Sequence, residues 1–205
     1  MDIGKIERLP LRNVWKHEAR DFTRWLEENI EVLNDVLPFS ISNAEREQSA
    51  STLNVDLLAE DEAGNPVVIE AQLERSDHDH LGKLLTYFTL IDARTAIWLV
   101  ADPRSEHVTA ITWLNESSPG NFYLIKVEAV RIGESPPAPL MTVIVGPSEE
   151  SKQVGQTKKE LAERYKIRQR FWAKLLETAR SRTKLHSNIS PSQYNWIGTA
   201  SGVRG

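Results

Sequence analysis

Two carboxylates stand where a β-sheet tolerates them least. Asp56 lies inside LNVDLLAE (53–60) and Glu70 inside VVIEAQL (67–73), both apolar runs of strand type. The intervening DEAGNP carries a Gly-Asn-Pro break, so the two runs read as strands joined by a turn. Folding that hairpin about residues 61–66 sets Asp56 approximately opposite Glu70 to Gln72. Alternate side chains of a strand share a face, so Glu70 and Gln72 point the same way. Charge on a sheet covered by helices is costly unless it is paired or bound to a cation. Two acids that close repel each other, and a hard divalent cation such as Mg²⁺ relieves this with oxygen ligands. The plainer alternative is a salt bridge from each acid to a nearby Arg or Lys.

The surrounding pattern supplies the rest of an α/β body. Residues 15–37 are predicted as one helix, with Phe22, Trp25, Leu26, Ile30 and Leu33 at three- and four-residue spacing and Pro38 as its stop. Residues 40–50 are read as a further strand. Asp77 reads as the N-cap of a helix running to about Asp92, burying Leu81, Leu84, Leu85 and Phe88. TAIWLVA (95–101) is a central strand, 104–115 a helix, and Phe122 to Ile132 and Leu140 to Val145 two more strands. The order α-β-β-β-α-β-α-β-β predicts a mixed sheet flanked by helices. A polar run, GPSEESKQVGQTKK, then reads as the linker to a long helix at roughly 157–181. The expected division is a body at 1–147, then 148–205 as linker and basic helical segment, with the start of a second domain as an option there.

The first helix offers a third acid. At about 100° per residue, Glu18 falls within about 40° of the apolar stripe, whereas Glu27 and Glu28 fall on the solvated side. Ser76, His80, Lys83 and Tyr87 form a polar stripe along the second helix, starting beside Glu70. The Asp-His-Asp-His run at 77–80 lacks the His-x₃-His spacing of a helical zinc site, so capping or phosphate contact suits His78 and His80 better.

With these residues in place, the chain resembles the PD-(D/E)XK nuclease superfamily, whose pattern is an acid, a hairpin carrying Asp and Glu-x-Lys, then a helix. HEARDFTRWLEENIEVL resembles the opening helix of the RecB-like and NucS-like branches, with Glu18 at their helical acid. VVIEAQLERSDHDHLGKLLTYF resembles a group of uncharacterised bacterial proteins in which a second domain of unknown function comes next. RQRFWAKLLE (168–177) and SPSQYNWIG (190–198) resemble that domain's beginning. The resemblance implies a restriction-endonuclease-like fold, with Mg or Mn held by Asp56, Glu70, the backbone carbonyl of Ala71 and Glu18. Two positions depart from the pattern. The motif lysine is Gln72, and the helical Gln-x₃-Tyr reads Lys83-x₃-Tyr87, so Lys83 is a candidate to restore the missing cation.

Charge then suggests a partner. Residues 1–150 carry a net −13 and residues 151–205 a net +9. An acidic body with a basic arm points to a polyanion, with Lys158, Lys159, Lys166, Arg168 and Arg170 as phosphate contacts beside His80. The absence of cysteine excludes disulfides, thiolate zinc sites and cysteine nucleophiles. No Gly-rich phosphate loop, nucleotide fingerprint or Ser/His/Asp elbow occurs. With neither a signal-type leader nor a membrane-length apolar run, the expected setting is cytoplasmic. The sequence therefore predicts a metal-dependent phosphodiesterase acting on DNA, in repair or phage defence, with homodimerisation left open. Catalysis would rest on Asp56, Glu70, Gln72, Lys83 and Tyr87. The alternatives are a nucleic-acid-binding module on the same fold without hydrolysis, and a protein-assembly module.

Overall fold

A computed structural model describes residues 3–50, 53–184 and 186–198, with backbone alone for 47–50, 53, 54, 149–152, 154–156, 158 and 159. It divides into two compact units, Met1–Lys152 and Gln153–Gly205.

The first unit is a mixed seven-stranded sheet with helices on both faces. Its strands are β1 (Ile6–Leu9), β2 (Ile41–Ala50), β3 (Leu53–Asp61), β4 (Pro66–Arg75), β5 (Thr95–Asp102), β6 (Asn121–Ile132) and β7 (Ala138–Val145). They lie in the order β1-β6-β5-β4-β3-β2, with β7 also on β6. β4, β5 and β6 are parallel, and α4 (His78–Leu90) and α5 (Ser105–Ser117) make the two crossovers between them. All other pairings are antiparallel. β4 and β5 are buried on both faces, which is why their sequences read as continuous apolar runs.

Parity along these strands sorts the core into two layers. Leu57, Ile69, Ala71, Ile97, Leu99 and Ile125 face Trp15, Phe22, Leu26 and Leu33 from the N-terminal helices. Val68, Ala96, Trp98, Val100, Phe122 and Leu124 face Leu84 and Tyr87 of α4 and Ile111 of α5.

The single helix expected over 15–37 is broken. α1 (Leu11–Val14) precedes it; a π-helical turn (Glu18–Thr23), α2 (Arg24–Glu28) and α3 (Glu31–Asn34) replace it. In the π turn the Phe22 amide donates to the His17 carbonyl five residues back. The extra residue rotates the downstream helix by about 100°. Glu27, expected on the solvated side, is thereby brought to β2, where it accepts from the Arg46 amide and guanidinium. Asn29 ends α2 by donating its side-chain amide to the Trp25 carbonyl at 2.8 Å.

β1 has no counterpart among the elements expected from sequence, and the expected linker is different too. Its residues from Glu149 onward belong to α6 (Glu149–Arg180). Lys, Gln and Glu propagate a helix well, and acids at its first two positions suit the macrodipole. In the second unit the Trp172 indole N–H donates to the Tyr194 carbonyl at 2.8 Å, tying the tail to α6. Among the described residues no helix is long and apolar enough to cross a membrane.

Candidate metal centre on strand β4

The site begins where the β3–β4 ladder opens. Paired residues run from Glu60 opposite Pro66 to Leu57 opposite Ile69 and go no further. The next two amides of β4 that face this side, those of Ala71 and Leu73, therefore need other acceptors. Carboxylates supply both. Asp56 Oδ2 accepts from the Ala71 amide at 2.9 Å, and Glu18 Oε2 accepts from the Leu73 amide at 2.5 Å. Glu18 reaches it from the first residue of the π turn, so the helical acid does lean on the sheet. Burial raises its carboxyl pKa; the Leu73 bond opposes that, and the charge of Asp56 adds to it.

Glu70 and Gln72 project from β4 toward α4, and both are buried. Glu70 Oε1 lies 3.8 Å from Lys83 Nζ, whose side chain is half exposed on α4. Glu70 Oε2 has no hydrogen-bond partner. Burial, then the charge of Asp56, pushes the Glu70 carboxyl up to about 9; Lys83 pulls it down, and Glu18 and Asp77 add further repulsion. Gln72 donates its side-chain amide to the Arg75 carbonyl at 3.0 Å and to Asp77 Oδ2 at 2.7 Å, while its Oε1 is left without a partner. Tyr87 is buried near both acids: burial first, then the charges of Glu70 and Asp56, raises its phenol pKa.

Asp77, expected only as a cap, does more. It caps α4 through the His80 amide at 2.9 Å and receives the His80 ring at 2.9 Å. It also anchors Gln72. Burial disfavours its charge, yet these hydrogen bonds hold its carboxyl at about 2. Caps and strand patterns give no reason to link position 77 to position 72, because the link forms only when the strand–helix corner closes. His80 is accordingly held by Asp77 through its amide and its Nδ1. Ser76, expected on the polar stripe, lies before α4 starts. Its hydroxyl accepts from the Arg104 amide at 2.9 Å and meets His107 Nδ1 at 2.7 Å. His107 Nε2 in turn meets His78 Nδ1 at 2.9 Å, a chain of polar contacts with no signal in the spacing.

The residues present suit a hard cation in their chemistry. Two buried oxygens two residues apart, Glu70 Oε2 and Gln72 Oε1, lack donors, and the charges of Asp56 and Glu18 press on Glu70. Oxygen ligands of this kind match Mg or Mn. Among the described residues, however, no three His, Asp or Glu side chains already converge as a closed metal cage. Asp56 and Glu18 are instead turned to β4 amides, and occupancy by a cation would have to draw on their second oxygens.

In the second unit, Lys166 and Arg170 are exposed one helical turn apart on α6. Arg168 falls on another side and lies 6.0 Å over the Tyr165 ring. The side chains of Lys158 and Lys159 lie outside the described residues.

No family model matches the chain, and no curated protein does. Two solved structures are similar to part of it. One is a repair endonuclease from Pyrococcus abyssi, 18% identical over 44% of this chain and 40% of that one, with a TM-score of 0.38. The other is an EndoMS–double-stranded DNA complex, 24% identical over 41% of this chain and 36% of that one, with a TM-score of 0.35. The chain thus spans well under half the length of either structure.

Proposed function

We propose that this chain is a divalent-metal-dependent phosphodiesterase acting on DNA, its site built on Asp56, Glu70 and Gln72. The observation that carries the reading is Glu70: a fully buried carboxyl with one oxygen unpartnered, set among Asp56, Glu18 and Asp77. A purely structural acid would be expected to gain a complete set of partners. Asp56, Glu70 and the Ala71 carbonyl would hold Mg or Mn, with Glu18 joining directly or through water. When bound, the cation supplies charge to offset that developing on phosphate oxygens.

The chain's own groups have separable tasks. Asp77 and the Arg75 carbonyl fix the Gln72 amide so that Oε1 is free to accept from a water or steady it near phosphate. Gln72 brings no positive charge, and Lys83 supplies one from the facing helix. The Tyr87 hydroxyl adds a neutral donor at the same side. Lys166 and Arg170 on α6 give non-specific attraction for the DNA backbone.

A second reading is favoured by one feature: Asp56 and Glu18 already satisfy β4 amides, and Lys83 already stands against Glu70. That arrangement suits a binding module in which Lys83 substitutes for a cation. Incubating the full chain with Mn²⁺ and single-stranded, duplex and branched DNA separates the two. Cleavage that disappears in Asp56→Asn supports the phosphodiesterase; tight binding with no cleavage of any substrate favours the module.

A further inference from the structure

β5 stops at Asp102, whereas β6 runs on to Ile132, and β1 pairs with that far part. The step leaves a cleft of about 290 Å³ between Leu73 of β4, Ala101 of β5 and the β6 stretch from Lys126 to Ala129. It opens at the carboxyl ends of parallel strands β4 and β5, the end at which open parallel sheets take ligands. Three cations line it: Arg8, Arg12 and Lys126.

Their pairing leaves positive charge to spare. Arg8 Nε and Lys126 Nζ lie 2.8 and 3.2 Å from the same oxygen of Glu128, so two cations share one carboxylate. Arg12 Nη2 lies 2.9 Å from Glu74 Oε1, a side chain 71% exposed, and so open to screening and exchange. A net positive cleft on a body of net −13 is unexpected unless an anion is meant to enter. The cleft also adjoins the acidic site: Leu73 lines it, and the Leu73 amide is the donor to Glu18.

We propose that this cleft seats a backbone phosphate of the same polynucleotide strand that crosses the Glu18–Asp56–Glu70 site, with Arg8, Arg12 and Lys126 as its ligands. The inference rests on the reading of that site as phosphodiesterase in placing the strand there. Guanidinium groups match two phosphate oxygens at once, and the exposed Arg8 and Arg12 can turn from their carboxylates to do so. Glu128, shared by Arg8 and Lys126, marks where an anion already stands between two of the three cations.

The test uses the full chain in EDTA, a labelled single-stranded oligonucleotide, and anisotropy at several salt concentrations. Arg8→Gln/Arg12→Gln/Lys126→Gln should weaken binding and lower the slope of log K against log salt by about 0.7, the share of the one phosphate no longer neutralised. Arg24→Gln/Arg94→Gln/Arg131→Gln removes the same charge outside the cleft and should leave the slope close to wild type. Melting curves of both triple variants establish that each is folded. Equal slopes in the two triples, or no oligonucleotide binding by wild type, overturn the cleft. Metal-dependent cleavage with unchanged KM in the cleft variant also overturns it while the phosphodiesterase reading stands. Binding that depends on the cleft without any cleavage does the reverse.

Discussion

In protein stripped of divalent ions, Glu70 should carry a proton at neutral pH, and Glu70→Gln should expose it. Burial and then the Asp56 charge place this carboxyl at about 9. In the unfolded chain a glutamate titrates near 4.3. Between those values the folded state holds a proton that the unfolded state does not. Its contribution to stability is therefore complete below the unfolded value and is lost as pH rises through about 9. From pH 7 to pH 9 the loss amounts to about 2 kcal/mol. For a body of this size that is roughly 5–9 °C of melting temperature. Glutamine keeps the shape and stays neutral, so the gap between the two proteins, which closes only at about pH 4, should widen by that amount between pH 7 and pH 9. Thermal melts in EDTA from pH 6 to pH 9 measure it. Parallel curves would refute the reasoning, because they would mean that Glu70 is already ionised or solvated.

The same proton governs the proposed cation. A metal ligand must be ionised, so at pH 7, about two units below the Glu70 value, apparent affinity should be roughly 100-fold below its limit. It should rise close to tenfold per pH unit until the carboxyl ionises. Stabilisation by Mn²⁺ should track that course in wild type and be absent from Glu70→Gln at every pH.

The hydrogen-bond partners around the site set the outcome of other substitutions. Asp56→Asn keeps an oxygen for the Ala71 amide, so its melting temperature should hold while Mn²⁺-dependent stabilisation and cleavage disappear; Asp56→Ala should in addition cost about 1–3 kcal/mol for the orphaned amide. Gln72→Lys can place its ammonium on the acceptors that now hold the Gln72 amide, Asp77 and the Arg75 carbonyl, so cleavage should be equal or higher at unchanged stability, and a fall in melting temperature without gain in rate would count against it. Asp77→Ala removes the α4 cap for about 1 kcal/mol, and it should also lower kcat more than KM by releasing Gln72, which kinetics on the folded variant would check. Lys166→Gln/Arg170→Gln on α6 should weaken DNA binding and flatten its salt slope without changing the Mn²⁺-dependent melting shift.

The sheet is legible in the sequence because its strands are covered on both sides. Burial on two faces forces continuous apolar runs, and TAIWLVA and VVIEAQL leave no competing helical period. The N-terminal helix misleads for the opposite reason. Its apolar spacing is correct for each fragment, but a π turn depends on how Phe22 and Leu26 dock on the sheet, and three-residue and four-residue spacing alone cannot register the extra residue. β1 gives no signal because a four-residue edge strand, mostly exposed, has nothing to bury in alternation.

The site divides along the same line. Asp56 and Glu70 stand out because charge among apolar neighbours is anomalous at the level of the sequence itself. Why they are near one another is a fact of pairing: β3 parts from β4 beyond Leu57, and the carboxylates of Asp56 and Glu18 take the amides that a continuing strand would have taken. That substitution explains two things together. It fixes both acids beside Glu70 through main-chain donors of β4. It also occupies one oxygen of each, leaving only part of their coordinating capacity for an incoming ion. A sheet that had stayed paired through Ala71 and Leu73 would have had no use for either carboxylate, and Glu70 would then have faced α4 with Lys83 as its main nearby charge.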